Sequence, residues 1–196
     1  MKLLLATHNR HKVQEIREIF KPTGLELLTP ADLQGLPDEI EEDADSFAGN
    51  ALKKARTLSD ASGLWALADD SGLQVDALNG APGIYSARYA GPQCETAENN
   101  AKLLRELEGV KQRSARFCCA IALCAPDGRS WGVEGVCEGR IIAEQRGANG
   151  FGYDPLFVPS GYDKTFAELG SEVKNRISHR AKALKKAYEE WRELLS

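Results

Sequence analysis

Residues 3–20, LLLATHNRHKVQEIREIF, give the first indication of the fold. The apolar run Leu3–Ala6 predicts a short buried strand, and the polar residues Thr7–Asn9 predict the turn after it. From Arg10 onward the apolar residues recur every three or four positions, as they do on one face of a helix. Asn9 is a common capping residue, so the helix is predicted to begin directly after it. A strand that leads at once into a helix is typical of mixed α/β proteins.

The same alternation continues along the chain. Further strands are predicted at 25–28, 65–78, 116–125 and 131–142, and further helices at 47–58, 98–107 and 177–195. No internal repeat or linker interrupts them. The order predicts the α/β class, with a mixed sheet flanked by helices in a single domain, 1–196.

Composition places the chain among ordinary globular proteins. Its 196 residues include 25 Lys and Arg against 29 Asp and Glu, a net charge of −4, and 42% are hydrophobic. These values exclude a disordered chain and a small disulfide-rich domain. The slight acidity argues against a nucleic-acid partner, because such binders normally carry a basic surplus. A small anionic ligand remains open, since basic residues can still gather in one pocket.

A cytoplasmic location without a membrane partner is expected. The apolar start Met1–Ala6 is too short for a signal peptide, and no run approaches the roughly 18 apolar residues of a membrane helix. The five cysteines are odd in number and lack zinc-finger spacing. We expect them to be reduced thiols, mostly in the core.

The turn after the first strand carries groups that suit a phosphate. This phosphate turn consists of Thr7, His8, Asn9, Arg10, His11 and Lys12. A helix N-terminus presents unpaired N–H groups and the positive end of the helix dipole, and Lys12 adds a full charge. The turn lacks the glycines of a Walker A loop, and an ordinary capped surface helix explains it about as well.

Two adjacent carboxylates, Asp69 and Asp70, interrupt an otherwise apolar strand and are followed by Ser71. Burying unpaired charge is unfavourable, and on an extended chain the two side chains leave on opposite faces. A strand opening on a cleft, with a divalent cation such as Mg²⁺, would relieve both problems. Carboxylates that only cap a turn are the alternative.

A second acidic segment, 38–45, precedes the predicted helix that carries Asn50 and Lys54 on one face. A solvated acidic loop beside an exposed helix face is the simpler interpretation of this segment.

Two later motifs could recognise a ring. Glycines flank Phe151 in Gly150–Pro155, so its ring could stack on a base, although a glycine-rich turn with Phe151 in the core is equally compatible. Ser178–Arg180, preceded by Lys174, could supply a donor pair for a carbonyl-bearing ring. A histidine near a helix start is more often an ordinary polar residue.

Taken in order and spacing, these motifs resemble the Ham1 family of inosine triphosphate pyrophosphatases, also known as non-canonical purine NTP or dITP/XTP pyrophosphatases. The resemblance spans almost the whole chain. It is carried by Thr7-x-Asn9-x-x-Lys12, Glu41-Glu42, Phe47-x-x-Asn50-Ala51-x-x-Lys54-Ala55, Ala68–Leu73, Gly80–Tyr89, Gly150–Pro155 and Ile177–Arg180. Glycine is frequent in the family where this chain has His8 and His11, so the shape of the phosphate turn is open.

The resemblance implies an elongated mixed α/β fold with two lobes around a central cleft. It implies a cytoplasmic homodimer that uses Mg²⁺ to split a purine nucleoside triphosphate into the monophosphate and pyrophosphate, with ITP, dITP and XTP preferred. A pyrophosphatase acting on other modified or canonical dNTPs, or a nucleotide-binding module without catalysis, is the alternative.

The resemblance also implies a role for each motif. Asp70 is the expected catalytic base and a metal ligand, with Glu42 and Asp69 at the same metal; the choice of Glu42 over Glu41 rests on its distance from Asn50. The substrate would be bound by Thr7, His8, Asn9, Arg10, His11, Lys12, Lys54 and Lys174 at the triphosphate, by Ser71, and by Phe151, Gly152, Tyr153, Asp154, His179 and Arg180 at the base. Donors at His179 and Arg180 would pair with a 6-oxygen but not with the 6-amino group of adenine.

Overall fold

The computed structural model describes residues 1–37, 39–93 and 95–195. The strands within them are β1 (Lys2–Leu5), β2 (Glu26–Leu28), β3 (Trp65–Val75), β4 (Ser114–Cys124), β5 (Ser130–Ile141) and β6 (Phe157–Pro159). The α-helices are α1 (Arg10–Phe20), α2 (Phe47–Ser62), α3 (Thr96–Glu106), α4 (Phe166–Ile177) and α5 (His179–Trp191). Short 3₁₀ helices lie at 21–23, 30–32, 76–78 and 83–88.

The strands form one six-stranded sheet in the order β2-β1-β3-β4-β5-β6. β1 is parallel to both its neighbours, so that Leu3 lies opposite Leu27 on one side and Trp65 on the other. β5 and β6 are antiparallel. The predicted mixed α/β sheet is therefore confirmed.

The described residues divide into two compact units. Unit 1 contains Met1–Asp70, Cys119–Gly135 and the residues from Arg180 onward, and unit 2 contains Ser71–Cys118 and Val136–His179. The single domain, the elongation, the two lobes and the cleft stay predictions. No helix of the described chain combines the length and the apolar character that crossing a membrane requires.

Unit 1 has two apolar cores. One joins β1, α1 and α5 through large side chains such as Leu5, Phe20 and Trp191. The other is rich in alanine and includes Ala51 and Ala55 of α2. Small side chains let α2 lie close to the sheet, and the polar residues on the same face of α2 are consequently buried.

Unit 2 is built around aromatic rings. The rings of Phe117 and Phe157 meet edge to face with centroids 4.7 Å apart, and Phe157 stacks on Phe166 at 5.3 Å. Such pairs contribute stabilisation beyond the area they bury.

Several element predictions need correction. The predicted closing helix is confirmed as α5, but its bounds are narrower than 177–195: Ser178 has extended backbone angles (φ −66°, ψ 158°) that separate Ile177 of α4 from α5, and α5 ends at Trp191. β3 ends at Val75, where a 3₁₀ helix replaces the predicted strand at 76–78. β6 and α4 were not predicted at all. Asp38 of the acidic segment and Cys94 of the predicted thiols lie outside the described residues.

Candidate active site

The phosphate turn has the predicted cap. Asn9 Oδ1 accepts hydrogen bonds from the backbone N–H groups of His11 and Lys12, at 3.0 and 3.3 Å, and Thr7 Oγ1 accepts from the N–H of Asn9. The cap therefore already satisfies two of the helix donors that the sequence offered to a phosphate. His8, Asn9, Arg10 and His11 are exposed.

The Asp69 carboxylate is the centre of a buried ionic network in unit 1. Its Oδ2 atom lies 3.0 Å from Lys12 Nζ and 3.1 Å from Arg180 Nε. The Cys119 thiol is 4.0 Å from the same oxygen, and burial raises the pKa of that thiol, which therefore stays protonated. The other carboxylate oxygen, Asp69 Oδ1, is buried and has no hydrogen-bond partner among the described residues.

Asp70 has different partners from its neighbour, as alternation along a strand requires. Its Oδ2 accepts a hydrogen bond from Asn50 Nδ2 at 3.1 Å, and its Oδ1 lies 3.5 Å from Lys54 Nζ. Asn50 and Lys54 reach it from one face of α2, one turn apart. The prediction that this helix face is exposed is wrong, because Asn50 is fully buried and Lys54 is 9% exposed.

The electrostatic surroundings shift the pKa values of Asp69 and Asp70 in opposite directions. Burial opposes ionisation of Asp69, but the charges of Lys12, Arg180 and Lys54 outweigh it and hold its pKa below the ordinary range. For Asp70, burial dominates and raises the pKa; the charge of Glu42 adds to this effect, while Lys54 and Asn50 oppose it. Asp69 is thus a permanent anion, and Asp70 is the better proton acceptor of the two.

Lys54 links Asp70 to Glu42. Its ammonium lies 2.8 Å from Glu42 Oε1. Burial lowers its pKa, but the charges of Asp70, Asp69 and Glu42 outweigh burial, and the net pKa is raised. Lys54 therefore remains charged between two carboxylates.

The carboxylates of Glu42, Asp69 and Asp70 supply some, but not all, of the oxygen ligands that a hard cation such as Mg²⁺ needs. Within the described chain, no group of three or more His, Cys, Asp or Glu side chains is arranged to hold a metal ion. However, Glu42 and Asp70 both reach the single ammonium of Lys54, so they face a common cationic position. Asp69 Oδ1, next to Asp70 in sequence, is a buried oxygen with no hydrogen-bond partner among the described residues. Mg²⁺ commonly takes only one or two carboxylates and completes its shell with phosphate oxygens and water. Glu42 and Asp70 supply two carboxylates, as such a site requires.

Arg180 lies in this network of unit 1. It is 1% exposed, and Nη1 donates to Glu15 Oε2 at 2.8 Å while Nε faces Asp69. Burial lowers its pKa, but the charges of Asp69 and Glu15 outweigh burial and keep it protonated. Glu15 was not predicted as a site residue. Its position one turn after Lys12 on the same face of α1 was the available signal.

In unit 2 the glycine-rich loop holds its aromatic ring through a second ion pair. Asp154 Oδ2 accepts hydrogen bonds from the N–H of Phe151 at 2.8 Å and from Lys174 Nζ at 2.5 Å. The Lys174 ammonium also lies 4.2 Å from the centroid of the Phe151 ring. Gly150 is required here, because its φ is +82° and a Cβ atom would lie 2.2 Å from Asp154 Oδ2. Lys174, expected at the triphosphate, contacts Asp154 and Phe151, two of the residues expected at the base, and its role at the triphosphate stays a prediction.

The other predicted site residues of unit 2 contact the protein's own backbone and side chains. Tyr153 is buried, and its hydroxyl donates to the carbonyl of Ser86 at 2.8 Å. The carbonyl of Gly152 accepts from Asn100. His179 is 5% exposed and stacks on Phe117 with centroids 4.8 Å apart, while Ser71 is half-buried directly after Asp70.

Known proteins are similar to this chain over almost its whole length. Residues 3–190 match the model of the Ham1 family. The chain is 56% identical over 191 residues to the dITP/XTP pyrophosphatase of Desulforamulus reducens, covering 96% of this chain and 94% of that one. It is 49% identical to the Bacillus subtilis protein of the same name, with 93% of each chain covered. A solved HAM1 protein from Coxiella burnetii superposes with a TM-score of 0.89 at 41% identity, covering 100% of this chain and 98% of that one. The Staphylococcus aureus Ham1 protein gives 0.88 at 37% identity, with the same coverage. This chain belongs to the Ham1 family.

Proposed function

We propose that the protein hydrolyses non-canonical purine nucleoside triphosphates, namely ITP, dITP and XTP, to the monophosphate and pyrophosphate, and so clears them from the nucleotide pool. Relatives that are 49% and 56% identical carry the name dITP/XTP pyrophosphatase. The observation that carries the proposal is the adjacent pair Asp69 and Asp70, two buried carboxylates whose pKa values are shifted in opposite directions.

Asp70 and Asp69 have different roles in the proposed reaction. Asp70 takes a proton from the attacking water, because its raised pKa brings it closer to the working pH than an ordinary carboxylate. The hydrogen bond from Asn50 fixes the orientation of its side chain. Asp69 stays ionised and holds Lys12 and Arg180 in place.

Glu42 and Asp70 would hold Mg²⁺. Asp69, whose Oδ2 faces Lys12 and Arg180, stays a predicted third ligand through Oδ1. When bound, the ion neutralises phosphate charge and orients the water. A bound cation would lower the pKa of Asp70, so its roles as metal ligand and as base compete, and the two roles can fall to different carboxylates.

Cations for the triphosphate come from unit 1. Lys12 and Lys54 each pair with a carboxylate, and each ammonium has further N–H groups to donate to phosphate oxygens. The exposed residues of the phosphate turn, His8, Arg10 and His11, surround the amino-terminal end of α1.

Recognition of the base is assigned to unit 2. Phe151 stacks on the purine, and Lys174, held by Asp154 beside that ring, donates to the 6-oxygen. An ammonium group can only donate, so the 6-amino group of adenine would leave it unpaired. His179 adds a second polar group, whereas Arg180 acts through Asp69 and Glu15.

Homodimer formation, a cytoplasmic location and Mg²⁺ dependence are further parts of the proposal and rest on the family resemblance. Light scattering after size exclusion tests the dimer, and removal of divalent cations with a chelator tests the metal. A monomer, or full activity in the chelator, would refute the corresponding part.

Initial rates on ITP, XTP, ATP and GTP with Mg²⁺ test the substrate class. ITP and XTP are expected to react much faster than ATP and GTP. Equal rates on ITP and ATP would refute the assignment of 6-oxygen recognition to Lys174. Guanine also carries a 6-oxygen, so this donor does not account for a slow rate on GTP.

A further inference from the structure

A groove of about 790 Å³ runs along α1 within unit 1. Apart from Thr7, His8 and Arg10 of the phosphate turn, the proposed reaction uses none of the residues that line it. One wall is a single face of the helix, and the opposite wall is formed by residues around Thr29–Asp32. One end of the groove reaches Thr7 and His8 of the phosphate turn.

Three cationic side chains face two carboxylates in this groove, and Arg17 interacts electrostatically with one of them, Asp32. Arg10, Arg17 and Lys21 line the groove, all three are exposed, and none of them forms an ion pair with another described residue. The two acids on its walls are already hydrogen-bonded. Glu18 accepts from the Gln14 side chain at 3.2 Å, and Asp32 accepts from the N–H and hydroxyl of Thr29 at 2.8 Å each.

The groove is distinct from the carboxylate network. Lys12 and Glu15, which pair with Asp69 and Arg180, lie on the opposite face of α1 from Arg10 and Arg17, given about 100° of rotation per residue. The two faces approach each other only at the amino-terminal end of the helix.

We propose that this groove is a second anion site, which binds a polyphosphate chain of at least three phosphate groups. Arg10 and Lys21 are separated by about 16 Å along the helix, at 1.5 Å per residue. One phosphate cannot contact all three cations, whereas an extended polyanion can. The volume is typical of ligand clefts, and the forked guanidinium groups of Arg10 and Arg17 suit phosphate oxygens. The chain could be free inorganic polyphosphate or the tail of a nucleotide.

Calorimetric titration with inorganic tripolyphosphate, without nucleotide or divalent cation, tests the site. The parent protein is expected to bind tripolyphosphate at the groove in addition to the triphosphate site. The Arg17→Gln/Lys21→Gln variant is expected to bind about tenfold more weakly at the groove, or to lose that site, because it lacks two charge-assisted contacts. The matched control Lys185→Gln/Arg192→Gln removes the same charge from exposed positions elsewhere in unit 1 and should titrate like the parent.

The source of the chain is distinguished by repeating the titration with ITP. A second ITP site that disappears in the groove variant indicates a nucleotide tail, and a single ITP site indicates free polyphosphate. Identical tripolyphosphate binding in the parent and the groove variant would overturn the proposal. So would a rise in the KM for ITP in the groove variant that matches its loss of tripolyphosphate binding, since the groove would then belong to the substrate site. Binding is measured without turnover, so failure of the proposed hydrolysis leaves this test intact.

Discussion

Replacing Asp69 by Asn removes the anion that anchors the ionic network of unit 1 while keeping the shape of the side chain. The Asp69 side chain is 1% exposed, with Lys12 and Arg180 at 3.0 and 3.1 Å from one oxygen. Removal of one partner from a buried ion pair destabilises a protein by about 3–5 kcal/mol, because the remaining charge stays buried. Lys12 is 16% exposed and can turn towards water, and Arg180 retains Glu15. The expected loss is therefore near the lower end, about 3 kcal/mol.

Guanidinium denaturation measures this loss as a lower midpoint at unchanged slope. Glu138→Gln is the matched control, since it breaks an ion pair with Arg116 whose side chains are 58% and 36% exposed. Exposed pairs contribute about 0–1 kcal/mol. Equal effects of the two substitutions would refute the reasoning that Asp69 is a buried structural anion.

The pH dependence gives an independent readout of the same substitution. A group whose pKa is lowered by folding stabilises the protein above its unfolded pKa, near 3.9 for Asp, and this contribution decreases as the pH falls towards the folded value. The stability difference between the parent and Asp69→Asn should therefore be constant near neutral pH and shrink below about pH 4. A difference that grows on acidification would contradict the lowered pKa.

Three further substitutions separate chemistry from structure. Asp70→Asn should abolish turnover with the fold intact, because it removes the proton acceptor; retained kcat would exclude Asp70 as the base. Arg56→Ala should lower the free energy of unfolding by about 1–2 kcal/mol, since its guanidinium donates to backbone carbonyls of the β4–β5 turn, and an unchanged denaturation midpoint would exclude that role. Gly150→Ala should raise the KM for ITP strongly, because the added Cβ collides with Asp154; Gly152→Ala, where a Cβ meets nothing within 4 Å, is the control, and equal effects would remove the collision as the cause.

Local features of the fold could be predicted from the sequence because they depend on neighbouring residues. The Asn9 cap needs only the strand-to-helix change around it, and its hydrogen bonds are as expected. The separation of Asp69 and Asp70 follows from strand alternation alone, and each carboxylate does have its own partners.

Long-range partners could not be predicted in the same way. Arg180 meets Glu15 and Asp69 only because α1, β3 and α5 pack in one unit, and no local pattern reports that packing. Lys174 has the charge that a triphosphate needs, yet α4 places it beside Asp154 and Phe151. The residue types of Arg180 and Lys174 indicated that both belong to a binding site, whereas the residues they contact depend on the tertiary structure.

The break between α4 and α5 shows a related limit. The apolar stripe from Ile177 to Leu195 predicts the closing helix, and α5 occupies most of it, but the stripe gives no sign that Ile177 belongs to a separate helix, α4. Ser178 nevertheless takes an extended conformation, and its N–H still bonds to the carbonyl of Lys174. Periodicity reports which face is buried, and it does not report a single non-helical residue within the run.

Phosphorus NMR of the products of ITP hydrolysis with Mg²⁺ identifies which phosphate bond the protein breaks. Pyrophosphate and the nucleoside monophosphate are expected as the only phosphorus-containing products. Orthophosphate together with the nucleoside diphosphate would contradict the proposed function, because the bond broken would then be the one between the β and γ phosphates.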